Sequence, residues 1–207
     1  MNYNFVTKIG DKTINCRAFT LREYKDLLKA KLEGRLEEEI LELFKKCTDA
    51  PELPRHEGEL LLVKLWAQSL GEVNVERPWH CACGREQMVP MNLIQASTTE
   101  ARDVVWAFTN FKIRFRWPNI FQDKYKAQTV AECIHSIVTT DDVEIFPDDL
   151  SDEEVNDLYS AITVEDIEKI FAHLTEPQVQ LAVPISCECG HNEIHVVKGL
   201  KEFFKLI

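Results

Sequence analysis

The stretch Trp79–Gln87 reads WHCACGREQ, with two cysteines one residue apart and a glycine directly after them. Ser186–Ile194 reads SCECGHNEI and repeats the device near the other end of the chain. In register, Cys81 falls on Cys187, Cys83 on Cys189 and Gly84 on Gly190, and polar residues and then an apolar strand follow each glycine. This is the layout of a knuckle. Glycine accepts φ > 0, so the chain turns sharply, the thiolates lie to one side and backbone amides point toward the sulfurs. Two knuckles brought together supply four thiolates, a tetrahedral set that Zn²⁺ accepts without redox chemistry. Cys81, Cys83, Cys187 and Cys189 are therefore the candidate ligands of one structural zinc. The spacing is tighter than the usual Cys-x₂-Cys, and His80 and His191 beside the pairs are alternative donors. Four unligated thiols, a redox disulfide pair and an iron–sulfur centre are the competing readings. A zinc held by four protein ligands has no open position for a substrate. It would act as a staple between the middle of the chain and its C-terminal part.

The other three cysteines, Cys16, Cys47 and Cys133, stand among apolar residues and read as small core side chains. Seven is an odd count, and the N-terminal MNYNFVTKIGDK lacks the basic-then-apolar pattern of a signal peptide. A disulfide framework is not expected, and the compartment is assigned as reducing and cytosolic. No apolar run approaches the roughly 18 residues of a membrane span.

Length and composition suit a globular chain with a real core: 207 residues, 45% hydrophobic and 29% charged. The net charge of −11 argues against nucleic-acid binding, which needs clustered Lys and Arg. The charge is unevenly placed. Residues 127–168 hold 13 Asp and Glu and no Lys or Arg, so the remainder of the chain carries +2. Such a segment is a solvated face or a docking surface for a basic partner.

Periodicity and punctuation give an α+β architecture, expected to form one compact unit because no linker cleanly divides it: a helical N-terminal part (1–72, one strand plus helices), then a mixed region of strands and helices (73–207). That second region carries both knuckles as a zinc-ribbon-like element. Lys12–Phe19 reads as a strand after the Gly10-Asp11 turn. Thr20 and Glu23 form a capping box that opens a helix with Leu21, Tyr24, Leu27, Leu28 and Leu32 on its apolar face. A second helix follows with Leu36, Ile40, Leu43, Phe44 and Cys47 as its stripe. DAPELPRHEG (49–58) reads as a loop because of its two prolines. The segment after it, Glu59–Leu70, is apolar almost all round, so it is either central to the core or a docking face for a partner's helix.

In the second region NFKIRFRWP (110–118) alternates Phe111, Ile113, Phe115 and Trp117 with Lys112, Arg114 and Arg116, giving one apolar and one basic face. The basic face is expected to pair with the chain's own acidic segment. Residues 120–133 read as helical, and CIHSIVTTDDVEIF (133–146) as a hairpin turning at Thr140–Asp142. Ser151 with Glu154, and Thr163 with Asp166, mark two helix starts. VQLAVPIS and EIHVV flank the second knuckle as strands, and GLKEFFKLI closes the chain as a short helix.

No catalytic pattern emerges. His56 lacks the second histidine of a metalloprotease helix, because Leu60 stands in its place. There is no phosphate loop, dinucleotide fingerprint or nucleophile elbow. The carboxylates around Asp148–Asp157 sit in a cap-and-turn setting, and His135 and His173 read as structural.

Taken together, CIHSIVTTDDVEIF, LSDEEVNDLYSAIT, VPISCECGHNEIHVVKGLKEFF and the N-terminal KTINCRAFTLREYKDLLKAKLEG resemble the baseplate hub subunit and hub assembly proteins of T-even-type bacteriophages. The resemblance runs over nearly the whole chain. It rests most on the paired knuckles, the helix start at Ser151 and the terminal GLKEFF. It implies a non-enzymatic tail-assembly role, as a hub component or as a chaperone for hub and tape-measure proteins. The setting would be the host cytoplasm or the virion baseplate. The alternatives are a zinc-ribbon nucleic-acid-binding module and a thiol-based redox enzyme.

Overall fold

The computed structural model describes residues 3–205. The chain begins with a strand pair, β1 (Asn4–Ile9) and β2 (Lys12–Arg17), followed by three helices, α1 (Leu21–Leu32), α2 (Leu36–Cys47) and α3 (Arg55–Leu70). Strands β3 (Asn74–His80), β4 (Glu86–Asn92), β5 (Ser97–Thr98), β6 (Val104–Ala107) and β7 (Phe111–Phe115) come next. Helix α4 (Lys126–Glu132), strands β8 (Ile134–Thr139) and β9 (Glu144–Ile145), and helices α5 (Asp152–Ala161) and α6 (Val164–Thr175) follow. Strands β10 (Val179–Ser186) and β11 (Asn192–Lys198) and helix α7 (Leu200–Phe203) end the described chain. None of the described helices is long and apolar enough to cross a membrane.

These elements form an α+β protein in two units, residues 1–99 with 178–207, and residues 100–177. The sequence reading drew its boundary after residue 72. The units divide elsewhere because strand pairing draws distant segments together: β10 pairs with both β11 and β5 in one antiparallel sheet.

In the first unit α3 is the centre. Leu61, Leu62, Leu65 and Ala67 have no exposed surface, so the apolar Glu59–Leu70 segment is mostly core. The helix starts at Arg55, earlier than the prolines suggested, because Pro54 stands just outside it and costs it no hydrogen bond. Strand β1 was not foreseen; it pairs antiparallel with β2 across Gly10, whose φ is +56°. The stripe of α2 is buried as expected at Ile40, Leu43 and Cys47. On α1 only Leu27 and Ala30 are buried, whereas Leu21, Leu28 and Leu32 face solvent, because a single neighbouring layer covers a narrower arc than the leucines span.

The capping box of α1 is complete. The Glu23 amide donates to Thr20 Oγ1 at 3.3 Å, and the Thr20 amide donates to the Glu23 carboxylate at 2.7 Å. The Arg17 guanidinium donates twice more to that carboxylate, at 2.9 and 2.6 Å. Arg17 above all, helped by the Thr20 amide, holds the Glu23 carboxyl down at about 2. A depressed carboxyl stabilises the fold above its ordinary value of 4.5 and loses that contribution as the pH falls through about 2. Glu23→Gln should therefore melt below the parent at neutral pH, with the gap closing between pH 4.5 and 2; thermal melts across that range check this.

The second unit is a four-stranded antiparallel sheet, β6-β7-β8-β9, with α6 against β6 and α4 packed on α6. Its core holds Ile113, Phe115, Val130, Cys133 and Ile170, with Trp117 packed at its margin. The apolar face of NFKIRFRWP is thus inward. Its basic face meets the acidic segment in part: Arg114 pairs with Glu144 at 3.1 Å, while Arg116 donates to the Glu132 backbone carbonyl. The helix expected over 120–133 is only α4, since residues before Lys126 run as turns with Phe121 at φ +67°. The hairpin turn falls at Asp142, φ +58°, and both later helices start with full capping boxes at Ser151 and Thr163.

Candidate metal centre

Each knuckle is the tip of a hairpin, and the two hairpins have the same register. β3 and β4 pair over seven residue pairs, Asn74↔Asn92 to His80↔Glu86. β10 and β11 also pair over seven, Gln180↔Lys198 to Ser186↔Asn192. The tips use the same hydrogen bonds. The Cys81 amide donates to the Arg85 carbonyl at 2.8 Å and the Gly84 amide to the Cys81 carbonyl at 2.9 Å; Cys187 with His191, and Gly190 with Cys187, give the same two distances. Gly84 and Gly190 have φ of +87° and +90°, where a side chain would be strained although nothing fills the space around either.

The four sulfurs converge, all within 4.8 Å of one another. Cys81 Sγ lies 3.6 Å from Cys189 Sγ, and Cys83 Sγ lies 3.7 Å from Cys187 Sγ. These separations are too long for disulfides, and all four cysteines are free. A tetrahedron with metal–sulfur bonds of about 2.3 Å has edges of about 3.8 Å, close to these two separations, so the donor set suits a zinc-sized ion. The first cysteine of each pair is buried, at 5% exposure, and the second is exposed. The cluster is thus half sheltered and open to solvent on the other side.

Crowding shapes its protonation. At Cys81 the amide of Cys83 favours the thiolate, but burial and hydrogen bonds with the other three thiols outweigh it and push the group up to about 12. Cys187 also moves up: the Cys189 amide pulls it down, and burial with its Cys189 and Cys83 neighbours overcomes that. Cys189 goes the other way, to about 7, because the His191 amide and the neighbouring thiols donate to its thiolate. The raised thiols of Cys81 and Cys187 hold protons that a cation would displace, so affinity for a metal rises with pH.

Side chains around the tips clasp the hairpins together. Trp79 Nε1 donates to Glu193 at 2.7 Å, and the Trp79 ring stacks on His191 with centroids 6.3 Å apart. Arg85 forms an ion pair with Glu188, and Gln87 donates to the Ser186 carbonyl at 3.3 Å. His80 lies beside Glu86 and His191 beside Glu193, both exposed. The clustered donor set among the described residues consists of the four cysteines. This clasp was not foreseen from the sequence. A signal for it was present: both tips belong to a longer repeat, Pro-x-x-Cys-x-Cys-Gly at Pro78 and Pro184, and the opposite charges of Arg85 and Glu188 fall on facing tips.

Elsewhere, cysteines read as core are core. Cys16, Cys47 and Cys133 are buried, and burial above all pushes each thiol up to about 11. His56 is buried in α3, where burial lowers it below its ordinary range. His135 and His173 are exposed, the first edge-on to Phe146 and the second tilted against Trp106. Glu154 and Asp166 serve as the capping carboxylates of α5 and α6.

Fold and site together define an α+β protein whose paired cysteine hairpins can hold one metal ion. The chain matches the family described as T4 bacteriophage base plate protein over residues 1–205, and it belongs to that family. It is 47% identical over 206 residues to the baseplate hub assembly protein gp26 of Enterobacteria phage T4, covering 99% of each chain. It is also 23% identical over 196 residues to the protein SULFUR DEFICIENCY-INDUCED 2 of Arabidopsis thaliana, spanning 89% of this chain and 63% of that one. No solved structure matches.

Proposed function

We propose that this chain is a non-enzymatic baseplate hub assembly protein, stapled by one zinc ion on Cys81, Cys83, Cys187 and Cys189. It acts as a hub component or as a chaperone for hub and tape-measure proteins, in the host cytoplasm during assembly and at the virion tail baseplate. The observation that carries this is the 47% identity to the phage T4 hub assembly protein across the full length of both chains. The metal reading is supported by sulfur separations of 3.6 and 3.7 Å, close to a tetrahedral edge. Four thiolates would fill the coordination of such an ion, and the zinc would supply cross-linking and no substrate chemistry.

The test is complementation. A T4 phage lacking its hub assembly protein, plated on cells making this chain, should recover plaques. The rescued lysate should contain tails with complete hubs by electron microscopy. Normal expression of a folded chain with no rescue, and no hub or tape-measure protein co-purifying with it, would overturn the reading.

A further inference from the structure

We propose that the second unit carries a cleft that receives an apolar side chain from a Lys- or Arg-flanked segment of a protein partner. The inference rests on the assembly reading for the occupant being a protein, and names its chemistry.

The cleft, a cavity of about 350 Å³, has an apolar wall of Ile134, Phe146, Leu150, Val155, Leu158 and Tyr159. That volume is at the small end of ligand pockets, room for one or two large side chains. One side of it is the helix α5, which has no buried residue. A ten-residue helix normally stays folded by burying an apolar stripe. In α5 that stripe is Val155, Leu158 and Tyr159, at helical spacing; Leu158 packs against the core of the unit, and all three line the cleft, with Tyr159 the most open of them. Tyr159 is 50% exposed and Phe146 across the cleft is 45% exposed. Two aromatic rings left this open at the mouth of a cavity are a suitable anchor site for a partner side chain.

Charge selects the partner. Residues 100–177 carry seventeen Asp and Glu against seven Lys and Arg, so this unit holds −10 of the chain's −11. Glu132 and Asp148 line the cleft itself, with Arg116 and His135, and Asp149, Asp152, Glu153 and Asp157 stand exposed on the turn and helix beside it. No Lys or Arg occurs between residues 127 and 168 to neutralise them. The cation in the cleft, Arg116, turns its guanidinium to the Glu132 carbonyl at 2.9 and 3.1 Å. Such a field repels nucleic acid and attracts a cationic peptide, with steering that weakens as salt is raised.

The experiment uses the full chain and a fluorescein-labelled synthetic 14-residue helix of leucine and lysine. Two counterparts have glutamate in place of lysine, or alanine in place of leucine. Anisotropy titrations should show binding of the Leu/Lys helix and marked weakening with either counterpart. Tyr159→Ala should weaken it about tenfold, the loss of one anchor side chain. Circular-dichroism melts should be unchanged, since Tyr159 is half exposed and is not among the residues packed against the core. If Tyr159→Ala does lower the melt, the double variant Asp152→Asn/Asp157→Asn, confined to exposed carboxylates, should still weaken binding. Equal binding of the alanine counterpart, or unchanged binding by both variants, overturns the proposal. So does sedimentation showing a self-association that Tyr159→Ala removes, which would give the cleft to a second copy. Complementation by the whole chain can succeed while peptide binding fails, so the two readings fall separately.

Discussion

Cys83→Ser should lower the melting temperature of the zinc-loaded protein by about 8–16 °C. An ion bound only by the folded state stabilises it by about 4 kcal/mol at a free concentration 1,000 times its Kd, and each kcal/mol moves the melt of a chain this long by about 2–4 °C. Cys83 is the informative position because its side chain is exposed and its sulfur lies beside that of Cys187. In a protein that holds no metal, oxygen in place of sulfur at an exposed tip would change stability by no more than about 0.5 kcal/mol. A large effect therefore requires the ion. Treatment with a chelator should lower the parent's melt by a similar amount and leave Cys83→Ser nearly unmoved. Metal analysis should find one zinc per chain in the parent and loss of it in the variant. Melts that coincide for parent, chelated parent and variant would leave the four thiols unligated and remove the staple.

The knuckles were legible because their chemistry is local: two sulfurs and a glycine fit in four residues, and the repeat gives itself away twice. The capping boxes at Thr20, Ser151 and Thr163 were legible for the same reason, since a cap joins residues three apart. What the sequence hid was mostly pairing over distance. β1 carries alternating residues that lack a strong apolar face, and it is a strand because β2 folds back on it across Gly10. β5 is only two residues long and exists because β10 adds it to a sheet, pairing Thr98 with Val179 and Ser97 with Gln180. The exposed leucines of α1 mislead in the opposite direction. Their spacing is helical, but periodicity reports which residues share a face and not how much of that face a neighbour covers. Likewise the charge runs of 127–168 announced an acidic surface, while the cavity that gives it an address is assembled from β8, the turn at Pro147 and α5.

Phe203→Ala should cost about 3–5 kcal/mol, the range for removing a fully buried phenylalanine, and lower the melt by about 6–20 °C. The neighbouring Phe204→Ala should cost about 1 kcal/mol. Adjacent phenylalanines differ because of the turn that precedes them. Gly199, at φ +83°, bends the chain after β11, and its amide bonds to the Val179 carbonyl at 2.8 Å. The four-residue helix α7 then points Phe203 inward to 0% exposure, while Phe204 stays 36% exposed against the edge of Trp66, with ring centroids 5.5 Å apart. A helix this short has no stability of its own, so Phe203 is what seats it against α3 and β11. The position matters for the sheet as well. At one end of the β10–β11 hairpin the Ser186↔Asn192 pair adjoins the knuckle; at the other, Gln180↔Lys198 adjoins Gly199. A metal ion on the four cysteines would pin the tip, as Phe203 pins the open end. Phe203→Ala should accordingly fray the hairpin from Lys198, faster amide exchange appearing there first, while zinc content stays at one per chain. Loss of zinc together with the helix would show that the two ends are a single cooperative unit, and an unchanged melt would show that α7 is not anchored by this ring.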